Sequence, residues 1–172
     1  MNALDMLKDL FAHMEWADAT VWRAVLASPA ASADTTARDK LFHKHHVQRA
    51  FLRTWSATPY EKLPPESPTL AEVFALAREM HAGFAAHLPT IPADSLDGPM
   101  VMPWSAYFAK MFGKEAVPTT LGETLCQVTL HSTYHRGQVN MRLRELGTEP
   151  PLTDYIAWLW LGRPKAEWPE VS

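Results

Sequence analysis

At 172 residues and 19.4 kDa the chain has the length of one domain with a sizeable core, so a single domain over residues 1–172 is expected. Its 47% hydrophobic and 20% charged residues exclude disorder and collagen-like repetition; a net charge of −3 with scattered Lys and Arg leaves no basic patch, so no nucleic-acid partner is expected. One cysteine, Cys126, excludes an internal disulfide framework and a cysteine-based zinc finger, and no apolar run reaches the ~20 residues of a bilayer span, so no membrane partner and a soluble, cytoplasmic protein are expected.

The 14 prolines divide the chain, because proline inside a helix costs about 3 kcal/mol. They leave four windows for helices: 1–28, 30–58, 69–88 and 119–149. The first opens on Met1-Asn2-Ala3-Leu4-Asp5, mixed rather than signal-like. Leu4, Leu7, Phe11, Met14, Val21 and Val25 then recur at helical spacing, with Asp18 interrupting the stripe. A carboxylate on a core-facing stripe needs a partner, so Asp18 is a candidate functional residue or a solvated helix edge.

In the second window Asp34-Thr35-Thr36 predicts an N-cap, with a helix to about Ala57. Its apolar residues occupy more than one face, so periodicity does not define its buried side. In the third, Thr69-Leu70-Ala71-Glu72 is a capping-box pattern, followed by a stripe of Val73, Phe74, Ala77, His81, Phe84 and Leu88. The fourth has Thr119 or Thr120 as cap, runs through Leu121, Leu125, Val128, Val139, Leu143 and Leu146, and stops at Gly147.

A long proline-rich stretch joins the third and fourth helices. Val101-Met102-Pro103-Trp104 is a candidate extended piece, and a connection of this length is often a lid. Asp154–Leu161 reads as a short apolar helix that must pack on the bundle or on a partner subunit. The fold expected is all-α: a four-helix bundle with a long helix 3–4 connection and a short C-terminal helix.

Eight histidines are the remaining signal. His131-Ser132-Thr133-Tyr134-His135 sets two imidazoles four residues apart on one helix face, able to converge on one ion. By helical geometry they share the side of Val128 and Leu146, which predicts that they point into the bundle. Ser132 stands where a zincin peptidase has its glutamate, so that chemistry is excluded. A third ligand is sought first in Phe42-His43-Lys44-His45-His46-Val47, where His43 and His46 share a face, with His13 and His81 as outside candidates. Cys126 lies on the far side of the fourth helix from His135 and reads as a small buried hydrophobe.

The segment His131-Ser132-Thr133-Tyr134-His135-Arg136-Gly137-Gln138-Val139, followed by Arg144-Glu145-Leu146-Gly147 and Pro150-Pro151-Leu152-Thr153-Asp154-Tyr155-Ile156, resembles the DinB/YfiT-like family of metal-binding bundles. Glu15-Trp16-Ala17-Asp18 is similar to that family's Trp-Ala-Asn element, with Asp18 in place of asparagine; His43, Gln48 and Phe51 match its second-helix pattern, with Gln48 where an acidic residue is common. The resemblance covers nearly the whole chain. It implies an up-up-down-down bundle, a homodimer, and a divalent metal held by His43, His131 and His135, with His46 the alternative to His43.

Three neutral imidazoles leave an ion charged and open on one side, the arrangement of a catalytic site. Zinc or nickel suits such ligands. The family resemblance includes enzymes that transfer low-molecular-weight thiols, so the expectation is a metal-dependent thiol S-transferase or hydrolase acting on a small-molecule substrate. The alternative is a non-catalytic, metal-stabilised stress-response or interaction bundle. Gln138 and Arg142 lie near the His135 face, either to meet a ligand or to brace the bundle. Trp16, Trp104, Tyr107, Phe108 and Tyr134 read as pocket wall, core or dimer interface.

Overall fold

Side-chain caps start the long helices where the sequence places them. The computed structural model describes residues 2–59 and 67–170; Met1, Pro64 and Pro65 fall outside them. Asn2 caps α1 (Ala3–Ala27) and Ser28 caps the single turn α2 (Pro29–Ser32). Asp34 caps α3 (Thr35–Trp55) by accepting from the Ala37 amide at 2.7 Å. Thr69 and Glu72 form the capping box of α4 (Leu70–His87). Thr120, not Thr119, caps α6 (Leu121–Glu145), paired with Glu123. At the other end of α6, Gly147 takes φ 76° and the Thr148 amide reaches back to the Leu143 carbonyl, a turn that favours glycine.

In the bundle α1 packs on α6, α6 on α3, α3 on α4, and α4 returns to α1. Helix directions follow from the pairs that meet. Across the core Trp22 meets His45, Asp18 meets Lys44 and Met14 meets Gln48, so α3 runs opposite to α1. Phe11–Phe84 and Trp22–Phe74 make α4 opposite to α1 as well. Asp34–Arg142, Gln48–Ser132 and Trp55–Thr124 set α6 opposite to α3. The order is therefore up-down-down-up, which corrects the up-up-down-down expectation. The physical reason is the short link through α2, which leaves α3 no route but straight back.

The core has two apolar halves. One is built from Leu4, Leu7, Phe11, Met14, Phe84 and Leu125, the other from Val21, Trp22, Val25, Leu41, Val73 and Leu143. All six apolar positions expected on the first helix are buried. Between the halves lies a buried polar layer of Asp18, Lys44, His45, Gln48, His81, Ser132 and Arg136.

The connection from α4 to α6 is more structured than the sequence suggests. Pro99–Met100 pairs antiparallel with Thr119–Thr120, and α5 (Ser105–Phe112) follows a turn at Pro103-Trp104. The extended piece thus precedes Val101, because Pro103, with φ fixed by its ring, serves the turn into α5 instead. The terminal helix α7 (Tyr155–Trp160) packs on α1 through Trp158, which joins Trp16 and Ala17. Among the described residues no helix is long and apolar enough to cross a membrane.

Candidate metal centre

Because α3 and α6 are antiparallel neighbours, His43 faces the two histidines one turn apart on α6. Its ring lies 4.5 Å from that of His135 and 5.3 Å from that of His131, and the two α6 rings are 4.3 Å apart. One nitrogen from each of the three lies within 4.8 Å of the others. His43 is exposed, and His131 and His135 are half-buried. The two α6 histidines therefore do not point into the core as expected. The buried face of α6 is centred on Ser132, Arg136, Val139 and Leu143, and His131 and His135 flank it by about 100° and 60° of helix rotation. The flank is open to a cavity, and that is what leaves a ligand room to approach.

The electrostatics keep these rings neutral. Burial, then the neighbouring His135 and His43, lowers the His131 pKa to about 4. Burial also lowers His43, and burial with His43 lowers His135. Neutral imidazole is the form a metal binds. The Gln138 side-chain oxygen lies 3.0 Å from His135 Nδ1; an amide oxygen only accepts, so Nδ1 carries the proton and Nε2 keeps its lone pair. His131 Nδ1 is buried and has no hydrogen-bond partner. An unpartnered buried ring nitrogen inside a cluster of neutral imidazoles fits a cation better than it fits any protein group nearby.

The other histidines are committed elsewhere. His46 lines the cavity beside His43, tilted against Phe42 at 5.8 Å, and is not one of the three that converge. His13 donates from Nε2 to the Thr153 carbonyl at 2.9 Å and so clasps the segment before α7. His87 stacks on Trp55. Arg142 is tied to Asp34 through two hydrogen bonds of 3.1 and 2.7 Å, closing the start of α3 onto the end of α6. Cys126 is half-buried and lines a separate cavity of about 540 Å³ with Leu10 and His13. Of the five aromatic candidates Trp104, Tyr107 and Phe108 wall the cavity beside the triad, Trp16 is buried against α7, and Tyr134 is exposed with its ring against His135.

A second group, Asp18, His45 and His81, also brings three ligand-type atoms within 4.8 Å, fully inside the bundle. Its atoms are already spoken for. Asp18 accepts from Lys44 Nζ at 2.7 Å, His81 Nε2 at 3.1 Å and Arg136 Nη1 at 3.4 Å. His45 donates from Nδ1 to Gln48 at 2.8 Å and accepts on Nε2 from Trp22 at 3.1 Å. Burial would raise the Asp18 carboxyl, but Lys44 and His81 hold it well below the usual range. With two cationic side chains on its one carboxylate, this group leaves no place for a metal ion. The sequence reading flagged Asp18, set His81 on the stripe of the third helix and matched Gln48 to the family pattern, but it did not bring them together as a layer. The signal was there: Leu125, Val128, Val139 and Leu143 recur at helical spacing on one face, and Ser132 and Arg136 fall on that face between them.

A family model described as the DinB family matches residues 2–167, and the chain belongs to that family. No curated protein matches the sequence.

Proposed function

We propose that this DinB-family chain holds one divalent ion with His43, His131 and His135 and uses it as a metal-dependent enzyme on a small molecule, of the thiol S-transferase or hydrolase type. The observation that carries the reading is the convergence of three neutral imidazoles, one with an unpartnered buried nitrogen, at the mouth of a cavity. The ion, zinc or nickel by ligand chemistry, would supply Lewis acidity to a water or thiol on its open side. The chain's own residues do the rest. Gln138 fixes the His135 tautomer and the α3–α6 seam sets the spacing of the rings. Any thiol must come from outside, because Cys126 opens onto the other cavity.

Metal analysis of protein purified without a polyhistidine tag tests this. Close to one divalent ion per chain is expected, falling to a trace in the His131→Ala/His135→Ala double variant. Metal content that ignores the substitutions sinks the proposal. A second reading, a non-catalytic bundle that works by association, is favoured by the exposed stripe Leu130, Tyr134 and Met141 along α6, which are 63%, 65% and 61% exposed. A second copy of the chain is the partner proposed for it. Sedimentation of the Leu130→Glu variant as a monomer beside a wild-type dimer supports that pairing.

A further inference from the structure

The cavity that His43 and His131 open onto has a volume of about 1090 Å³, at the upper end of the range for drug-sized ligands. Its walls are unusually one-sided in chemistry. Phe51 and Trp104 meet edge to face at 5.0 Å, and Tyr107 and Phe108 from α5 meet edge to face at 5.7 Å. Met102 adds a soft sulfur beside them. Among the described residues that line it there is no lysine or arginine, and Glu123 is the one carboxylate. Arg142, which the sequence offered either to a ligand or to bracing the bundle, is bound to Asp34.

No residue of α5 is buried. Tyr107 is 67% exposed and Phe108 41%, although both belong to the wall of a cavity. Trp104 at the foot of α5 is packed against the core, so the helix has a fixed root and an uncovered aromatic face. Apolar rings held around a space are a site built for an apolar occupant. In the aromatic cradle, away from the triad, an anion finds no lysine or arginine and a cation finds only Glu123.

We propose that this cavity binds an uncharged, flat aromatic molecule in the cradle of Phe51, Trp104, Tyr107 and Phe108, with its reactive end toward His43 and His131. This names the substrate class of the proposed enzyme, and it rests on the metal reading only in placing the reactive end. Ring faces of the ligand meet ring faces and edges of the protein, while the polar margin at Thr124 and Gln127 lies on the α6 side of the same cavity.

The test is fluorescence titration with N-phenyl-1-naphthylamine, a neutral two-ring probe, and with 8-anilino-1-naphthalenesulfonate, its sulfonated counterpart. Saturable binding of one neutral probe per chain is expected, at least about tenfold tighter than the sulfonate. Trp104→Ala and Phe108→Ala should each weaken the neutral probe by about tenfold or more. Phe112→Ala, outside the cavity, should leave it within about twofold. Phe108 is exposed, so its variant will fold even if Trp104→Ala does not. His135→Ala, a triad residue that does not line the cavity, is titrated alongside and its metal content measured. It should lose metal and keep the probe, which separates failure of the metal reading from failure of this one. Equal affinity for the sulfonate, indifference to Trp104→Ala and Phe108→Ala, or several probes per chain lost on Phe112→Ala overturns the proposal; the last result would mark α5 as a docking face.

Discussion

Two histidine clusters sit at the same level of the bundle, and consecutive residues build both. His43 faces outward and Lys44 inward; His131 outward and Ser132 inward; His135 outward and Arg136 inward. The outer cluster has neutral rings, an unpartnered nitrogen and a cavity in front of it. The inner cluster has the Asp18 carboxylate, both His45 nitrogens and His81 Nε2 engaged, and two cations on one carboxylate. Proximity of ligand-type atoms is the same in both, within 4.8 Å. What separates a metal site from a structural network is therefore the state of the lone pairs and the sign of the neighbouring charge, not the distance between nitrogens.

Breaking the inner cluster should produce the largest effect. Asp18→Ala leaves Lys44 and Arg136 buried without a counter-ion, and a loss of about 3–5 kcal/mol in urea unfolding is expected. Replacing Asp18, Lys44 and Arg136 together by Leu, Met and Met should recover most of it, since no uncompensated charge remains. A single variant as stable as wild type would show that water reaches the layer. The outer cluster should behave in the opposite way. His131→Ala/His135→Ala removes two of the proposed ligands yet should change metal-free stability by no more than about 1 kcal/mol, because both rings flank the core. Chemical denaturation in a chelator compares the two variants directly.

The sequence carried the outer cluster more fully than the inner one. The spacing of His131 and His135 names two of the residues that meet, because a four-residue separation fixes a shared face, and the histidine-rich stretch of the second helix narrows the third to His43 or His46, with the resemblance favouring His43. Caps at Asp34, Thr69 and Thr120 were readable for the same reason: they are local. The burial of Lys44 and Arg136 was not, since each needs a carboxylate contributed by α1, and pairing across a bundle leaves no mark at short range. Helix direction, taken only from the resemblance, depends on the same long-range pairing. Aromatic residues of α5 were visible as residues but not as a wall, because only the ribbon Pro99–Met100 with Thr119–Thr120 fixes where that helix sits.

The two clusters can be sharpened further through their glutamines. Gln48 engages His45 and Gln138 engages His135, each by a side-chain oxygen on Nδ1. Gln138→Leu removes the group that holds the His135 tautomer, and a fall of about 10–100-fold in metal affinity is expected, with little change in metal-free stability. Isothermal titration with zinc measures it. Gln48→Leu should do the reverse, because it strands Ser132 and His45 in the core while leaving the outer rings in place.

The smallest expected effect is the response to acid, and it distinguishes the clusters by its dependence on bound metal. A histidine held below its ordinary pKa of 6.5 binds fewer protons folded than unfolded, so its cost is absent above that value and grows as pH falls toward the folded pKa. His131, His43, His135 and His45 are all shifted downward, with burial the leading cause. Metal-free protein should accordingly lose stability steadily below about pH 6.5. Loaded protein should resist longer, since the ion occupies the neutral rings and protons compete for His131 only near its pKa of about 4. Metal bound to freely exposed histidines would be released around pH 6.5 instead. Thermal unfolding with and without zinc, from pH 7 to pH 4.5, reads the gap between the two curves. A gap that widens before it closes belongs to the outer cluster, whereas parallel curves would mean that buried and half-buried histidines outside the triad set the acid response.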